Sequence, residues 1–486
     1  MMRDRTPRSI HTSAPLLAAL VVFPALAAGA CSSSAPNEGA STPSTDGGTT
    51  STGDGASTAN DGGTTDANTG GDPWSPPVET GSVAFPYTAY RCAYPIRQVA
   101  PSKPAAVFHG AAKVGTAPAV KNLHLSFAGD ASSSIVVQWG TDDQTLGTEV
   151  RFGDSPTTLD KVAHGFSFTY GVAGRREHEL HLCGLLPAHT YYYDAGAGSA
   201  RSAVHSFVTA PADASEIKVL VTGDTRTDPS VLTEIAQHAL TDAPDVMIQS
   251  GDAVESGTSQ AQWDALFAAA PKLFAEVPCY WVHGNHEGLS EVYFALHALP
   301  DNGTANGIEE WFAATYGPMR LVVLNDTLAS NADLTGVEKT FLTSALAGID
   351  RNRTPFAITS HHQPMYTTSS SHPSNTTVRG AWAPVFDKAH VNIDIAGHVH
   401  SYESTKPLSG GTAASTGTTT TDALGTRYIN FGGGGAPLYT FLANQAYLQK
   451  RESTHGYAIV TIGASSLKWV SRRQDGTELE TITLAK

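Results

Sequence analysis

The residues whose types could do chemistry sit in five short turns. Gly284-Asn285-His286-Glu287 sets an amide oxygen, an imidazole and a carboxylate side by side. Gly223-Asp224, Gly251-Asp252, His361-His362 and Gly397-His398-Val399-His400 add further carboxylates and imidazoles. A mixed set of carboxylate oxygen, amide oxygen and imidazole nitrogen suits a hard or borderline divalent cation. There are 4 cysteines and no Cys-x-x-Cys pair, so a thiolate zinc site is not expected.

Each turn ends a short apolar run that reads as a strand: 217–221, 245–249, 277–282, 356–359 and 391–395. Helical patterns lie between them. In 230–240, Val231, Leu232, Ile235 and Ala239 form one stripe; in 262–274, Trp263, Leu266, Phe267 and Ala270 do so. Further helices are predicted at 337–346 and 384–390, and strands at 320–324 and 427–431. A hairpin at 456–462 and 467–471 closes the chain, and a Thr/Gly/Ser-rich insertion spans 409–425. Strands alternating with helices imply βαβ units, whose sites lie at the carboxyl ends of strands. All five turns are at such ends.

The chain before this region is organised differently. Residues 121–211 show short alternating strands at sandwich-like spacing. The run from Gly184 to Tyr193 resembles the corner of fibronectin type III-like domains, so an all-β sandwich is expected there. Residues 81–120 are a Pro-rich lead-in, and 32–80 a Ser/Thr/Gly linker that cannot bury a core. Residues 1–31 carry Arg3, Arg5 and Arg8, then an apolar run ending at Cys31, which resembles a lipoprotein-type signal peptide. The expected location is therefore outside the cytoplasm, anchored by a lipid on Cys31 or secreted. Cys92 and Cys183 are available to pair there, and Cys279 reads as a buried thiol. The chain has 486 residues and a formal net charge of -15, which speaks against nucleic acid as a partner.

In order, the turns read G-D, G-D, G-N-H-E, H-x-P-x-Y (His362 to Tyr366) and G-H-x-H. This series resembles the calcineurin-like metallophosphoesterases. With the preceding sandwich and the late Gly-rich strand end, it resembles their purple acid phosphatase branch over roughly residues 120–486. The resemblance implies a catalytic domain over 215–486, built as a two-sheet α/β/β/α sandwich. It implies two metal ions (iron, manganese or zinc) and hydrolysis of a small phosphate monoester by a metal-activated hydroxide. Asp252 would bridge the ions. Asp224 and His400 would hold the first, and Asn285, His362 and His398 the second. His286 would hydrogen-bond the phosphate, and His372 would protonate the leaving alkoxide. His361 is the alternative to His362 as a ligand.

Two positions depart from the branch. Where purple enzymes carry a tyrosine ligand three residues after the bridging aspartate, this chain has Glu255. Where the first motif has glycine or histidine, it has Arg226. Glu255 could replace the phenolate as an oxygen ligand, and Arg226 could clamp the substrate phosphate. Alternatively the two pair with each other. Without the tyrosine the protein should not be purple. The resemblance also admits a phosphodiesterase or nucleotide hydrolase, or a degenerate surface-binding protein without catalysis.

Overall fold

The structure is a computed structural model. It describes residues 74–97, 105–108, 113–304, 307–327 and 330–486. The expected signal peptide with Cys31 and the linker up to residue 73 lie outside the described residues.

The first region is a sandwich. One sheet runs, in order, Gly81–Ser82, Val107–Phe108, Phe166–Phe168, Arg176–Cys183, Ser134–Thr141 and Lys121–Ser126. The other runs Ala200–Arg201, Thr190–Ala197, Glu149–Gly153 and Lys161–His164, with His205–Val208 also on Thr190–Ala197. Inward residues such as Val137, Trp139, Leu180, Phe152 and Tyr193 are fully buried, the period-two pattern of a two-sheet core. The lead-in is not a separate stretch: its two short strands extend the first sheet, and Cys92 bonds to Cys183.

The second region has two mixed sheets. The first has the order Cys279–Trp281, Val246–Gln249, Ile217–Thr222, Gly456–Ile462, Ser466–Arg473 and Glu478–Ala485. The second has Phe312–Tyr316, Met319–Val323, Phe356–Ser360, Ile393–Ala396, Arg427–Phe431, Tyr402–Thr405 and Leu448–Glu452. Within each, the strands that end in the five turns run parallel. Parallel neighbours carry their carboxyl ends to one edge, so the turns of both sheets meet.

Several boundaries differ from the sequence reading, each for a local reason. The 262–274 helix is two helices, Gln260–Ala269 and Pro271–Glu276, because Pro271 cannot donate into a continuing helix. The helix expected at 384–390 is the 14-residue Thr376–Ala389 with Pro384 inside. Its start is set upstream, where the Asn375 side chain accepts from the Val378 amide at 3.0 Å. Within the 409–425 insertion, Thr418–Thr419 pairs with Leu408–Ser409.

Candidate metal centre

The strand Ile217–Thr222 ends at Asp224, and its parallel neighbour Val246–Gln249 ends at Asp252. Cys279–Trp281 leads to Asn285 and His286, Phe356–Ser360 to His362, and Ile393–Ala396 to His398 and His400. Three of these residues have left-handed backbone: Asp224 (φ 52), Asp252 (φ 53) and His398 (φ 63). Such φ values cost a non-glycine residue on the order of 1–3 kcal/mol and persist where packing over-determines them, commonly at functional sites. Close approach also fixes Gly284. A Cβ there would lie 2.2 Å from the Asp252 amide nitrogen.

Asp252, His362 and His398 each offer a ligand atom, all within 4.8 Å of one another. His362 Nδ1 lies 2.9 Å from the Ser250 carbonyl and must carry the proton. Its Nε2 is therefore the lone pair, 3.2 Å from Asp252 Oδ1, buried and without a hydrogen-bond partner. An orphaned buried lone pair beside a carboxylate is the arrangement a cation completes. Burial opposes charge on His362, but the adjacent Asp252 carboxylate raises its pKa to about 10, so with no cation bound a proton sits on Nε2, and the lone pair is bared when a cation displaces that proton. On Asp252 burial acts upward, yet His362 and the His286 amide outweigh it and hold the carboxyl below its usual range. Asn285 is exposed on the same loop.

Asp224 Oδ1 is likewise buried without a hydrogen-bond partner, 3.4 Å from His400 Nε2. Here another cation is present. The Arg226 guanidinium lies 3.3 Å from His400 Nε2 and 2.6 Å from Glu255 Oε2, with Nε 3.5 Å from Asp252 Oδ2. Glu255 also accepts from Thr227 Oγ1 at 3.0 Å. The donors around Asp252, His362 and His398 thus fit a metal ion. Those around Asp224 and His400 already face a fixed positive charge.

His286 uses its amide on Asp252 Oδ1 (3.0 Å) and its Nδ1 on the Glu255 carbonyl (2.8 Å), and its Nε2 lies 3.8 Å from Asp252 Oδ2. The His372 ring lies 4.1 Å from the His398 ring at a tilt of 42°, with Nε2 3.2 Å from Tyr439 Oη. Burial, then His400, lowers its pKa. His361 has no nitrogen to spare: Nδ1 meets Asp326 at 2.8 Å and Nε2 meets Asp394 at 3.0 Å.

Sequence reasoning assigned several supports no role. Glu287 accepts from the amides of Asp252 (3.0 Å), Ala253 (2.8 Å) and Gly284 (2.8 Å), tying two of the turns together. Burial, then the Asp252 charge, pushes its carboxyl up to about 7. Its adjacency to His286 was the available signal. Asp326, which also accepts the Gln363 amide at 2.9 Å, and the Pro437 carbonyl on His400 Nδ1 (2.7 Å) had none. A cavity of about 300 Å³ opens beside Arg226 and Glu255, walled by Leu232, Val254 and Leu266. A larger one, about 870 Å³, lies away from these residues around Arg320 and Phe341.

Comparison with known proteins bears on the two regions of the fold. Residues 120–209 match the purple acid phosphatase N-terminal domain, and residues 217–402 the calcineurin-like phosphoesterase family. Purple acid phosphatase 21 of Arabidopsis thaliana is 27% identical over 336 residues, 65% of this chain and 71% of the relative. Purple acid phosphatase 1 of Ipomoea batatas is 23% identical over 401 residues, covering 75% and 83%. The purple acid phosphatase PPD1 from yellow lupin superposes with a TM-score of 0.65 at 19% identity, over 76% of this chain and 74% of that one. The family models and the two-region architecture agree: the chain carries a calcineurin-like phosphoesterase region behind a purple acid phosphatase N-terminal domain, the arrangement of the purple acid phosphatase-like branch.

Proposed function

We propose that this chain is a metal-dependent hydrolase of phosphate monoesters that acts outside the cytoplasm. One observation carries the reading: the Asp252, His362 and His398 donors converge within 4.8 Å, with the His362 lone pair unpartnered. Asn285, on the adjoining turn, would complete the set. A cation held there supplies Lewis-acid charge to a phosphoryl group and makes a nucleophile of water at neutral pH. The resemblance implies a second ion at Asp224 and His400, but the reading rests on the side without a competing cation.

The chain's own residues supply the rest. His286 would hydrogen-bond a phosphate oxygen through Nε2, its ring held by the Glu255 carbonyl. Arg226, side chain 10% exposed, adds fixed positive charge at the mouth of the site. His372, its ring 4.1 Å from that of His398, would protonate a leaving alkoxide. The neighbouring cavity, with its apolar wall, offers room for the organic part of an ester.

The Cys92–Cys183 disulfide supports an oxidising compartment. No helix among the described residues is long and apolar enough to cross a membrane. Attachment would fall to a lipid on Cys31, and Cys31→Ser should then release the protein from the detergent phase. To test the activity, protein loaded with Mn, Zn or Fe is assayed on an aryl phosphate and the matching diester. Faster release from the monoester is expected. Hydrolysis of the diester alone would replace this reading, and hydrolysis of neither would remove it.

A further inference from the structure

Arg226 and Glu255 stand where the branch resemblance calls for a small or histidine residue and a tyrosine ligand, and they form a pair. Of the donors that would hold the first ion, the guanidinium reaches Glu255, His400 and Asp252. The His400 contact is the most telling. Its Nδ1 is committed to the Pro437 carbonyl, so Nε2 is the lone pair a metal would take, and the Arg226 Nη2 group points at it. A guanidinium does not give up its proton and has no acceptor, so it cannot share this donor set as a ligand. A dication there would face a neighbouring positive charge held 10% exposed. Among the described residues none hydrogen-bonds His362 Nε2. Charge also balances: the carboxylates of Asp224, Asp252 and Glu255 carry three negative charges, and one dication plus the guanidinium carry three positive.

We propose that the Arg226 guanidinium takes the place of the first metal ion, so that this centre works with a single cation, held by Asp252, Asn285, His362 and His398. The proposal rests on the metal-dependent reading above and narrows it. The guanidinium then does for the phosphoryl oxygens what a second ion does in a binuclear site, as a fixed and non-exchangeable charge. Glu255 is a positioning residue: it holds the guanidinium over His400 and binds no metal.

The test is metal stoichiometry, read without turnover. Full-length protein is saturated with Mn(II), desalted, and examined by elemental analysis and low-temperature electron paramagnetic resonance. The expected result is a single Mn per chain with an isolated six-line signal. Arg226→Ala should take up a second Mn and give an exchange-coupled signal; Arg226→Gln, closer in size, should do the same where the alanine variant folds poorly. Two Mn per wild-type chain, or a coupled signal from it, overturns the proposal. So does a single Mn in folded forms of both variants, because then Arg226 is not what excludes the second. Failure of the phosphoesterase reading is distinct. It appears as a chain that holds its single Mn but hydrolyses no phosphate ester.

Discussion

His361 and His362 are neighbours with opposite commitments. Both rings are fully buried. His361 is spent on Asp326 and Asp394, whereas His362 keeps Nε2 for the centre. His361→Ala should therefore unfold more easily, by about 3–5 kcal/mol, because it leaves two buried carboxylates uncompensated. Its folded fraction should still bind metal. His362→Ala should lose the metal with a smaller change in stability. Calorimetry together with metal analysis separates the two, and equal metal loss in both variants would refute the assignment. Glu287→Ala removes the acceptor of the Asp252, Ala253 and Gly284 amides. Orphaned buried donors cost about 1–3 kcal/mol each, and a lost support typically weakens metal binding about 10–100-fold. A metal dissociation constant unchanged in Glu287→Ala would mean that the two turns hold their shape without it.

At the scale of elements, the sandwich carries a titration of its own. His178, on the Arg176–Cys183 strand, stacks on Trp139 at 5.0 Å and bonds Thr141 and Thr148. Burial, then Arg176, lowers its pKa to about 3 from the ordinary 6.5. Above pH 6.5 both folded and unfolded chains are neutral there. Below it the unfolded chain takes up a proton that the folded chain refuses. Stability should fall as pH drops from 6.5 toward 3, by up to about 1.4 kcal/mol per unit. His178→Gln should flatten that slope in thermal melts; an unchanged slope would show that His178 is not its source. Residue types and turn order in the sequence made the two-region fold and the five strand ends legible. The short strands Gly81–Ser82 and Val107–Phe108 were not, because two residues carry no periodicity and pair only through tertiary contact. The early start of Thr376–Ala389 was hidden because Pro384 reads as a helix start. The pairing of Arg226 with Glu255 could be named as an option, but its reach to His400 depends on strands far apart in sequence.

Across the whole molecule, the sandwich and the phosphoesterase region share one apolar core. His124 Nε2 lies 2.6 Å from the Leu296 carbonyl, and Arg175 is 2.6 Å from Asp264 on the Gln260–Ala269 helix. The Cys92–Cys183 bond, 91 residues apart, fastens the lead-in to this body. Replacing both cysteines by serine should cost about 2–5 kcal/mol and lower the melting temperature, with metal content unchanged. Everything proposed for the centre passes through Asp252, which faces His362, His286 and Arg226 at once. The most direct measurement is the metal content and aryl phosphatase rate of Asp252→Ala beside wild type, with circular dichroism confirming the fold. The expected result is a folded chain that binds no metal and hydrolyses at least about a thousand-fold more slowly. A folded Asp252→Ala chain with wild-type metal content and rate would contradict it.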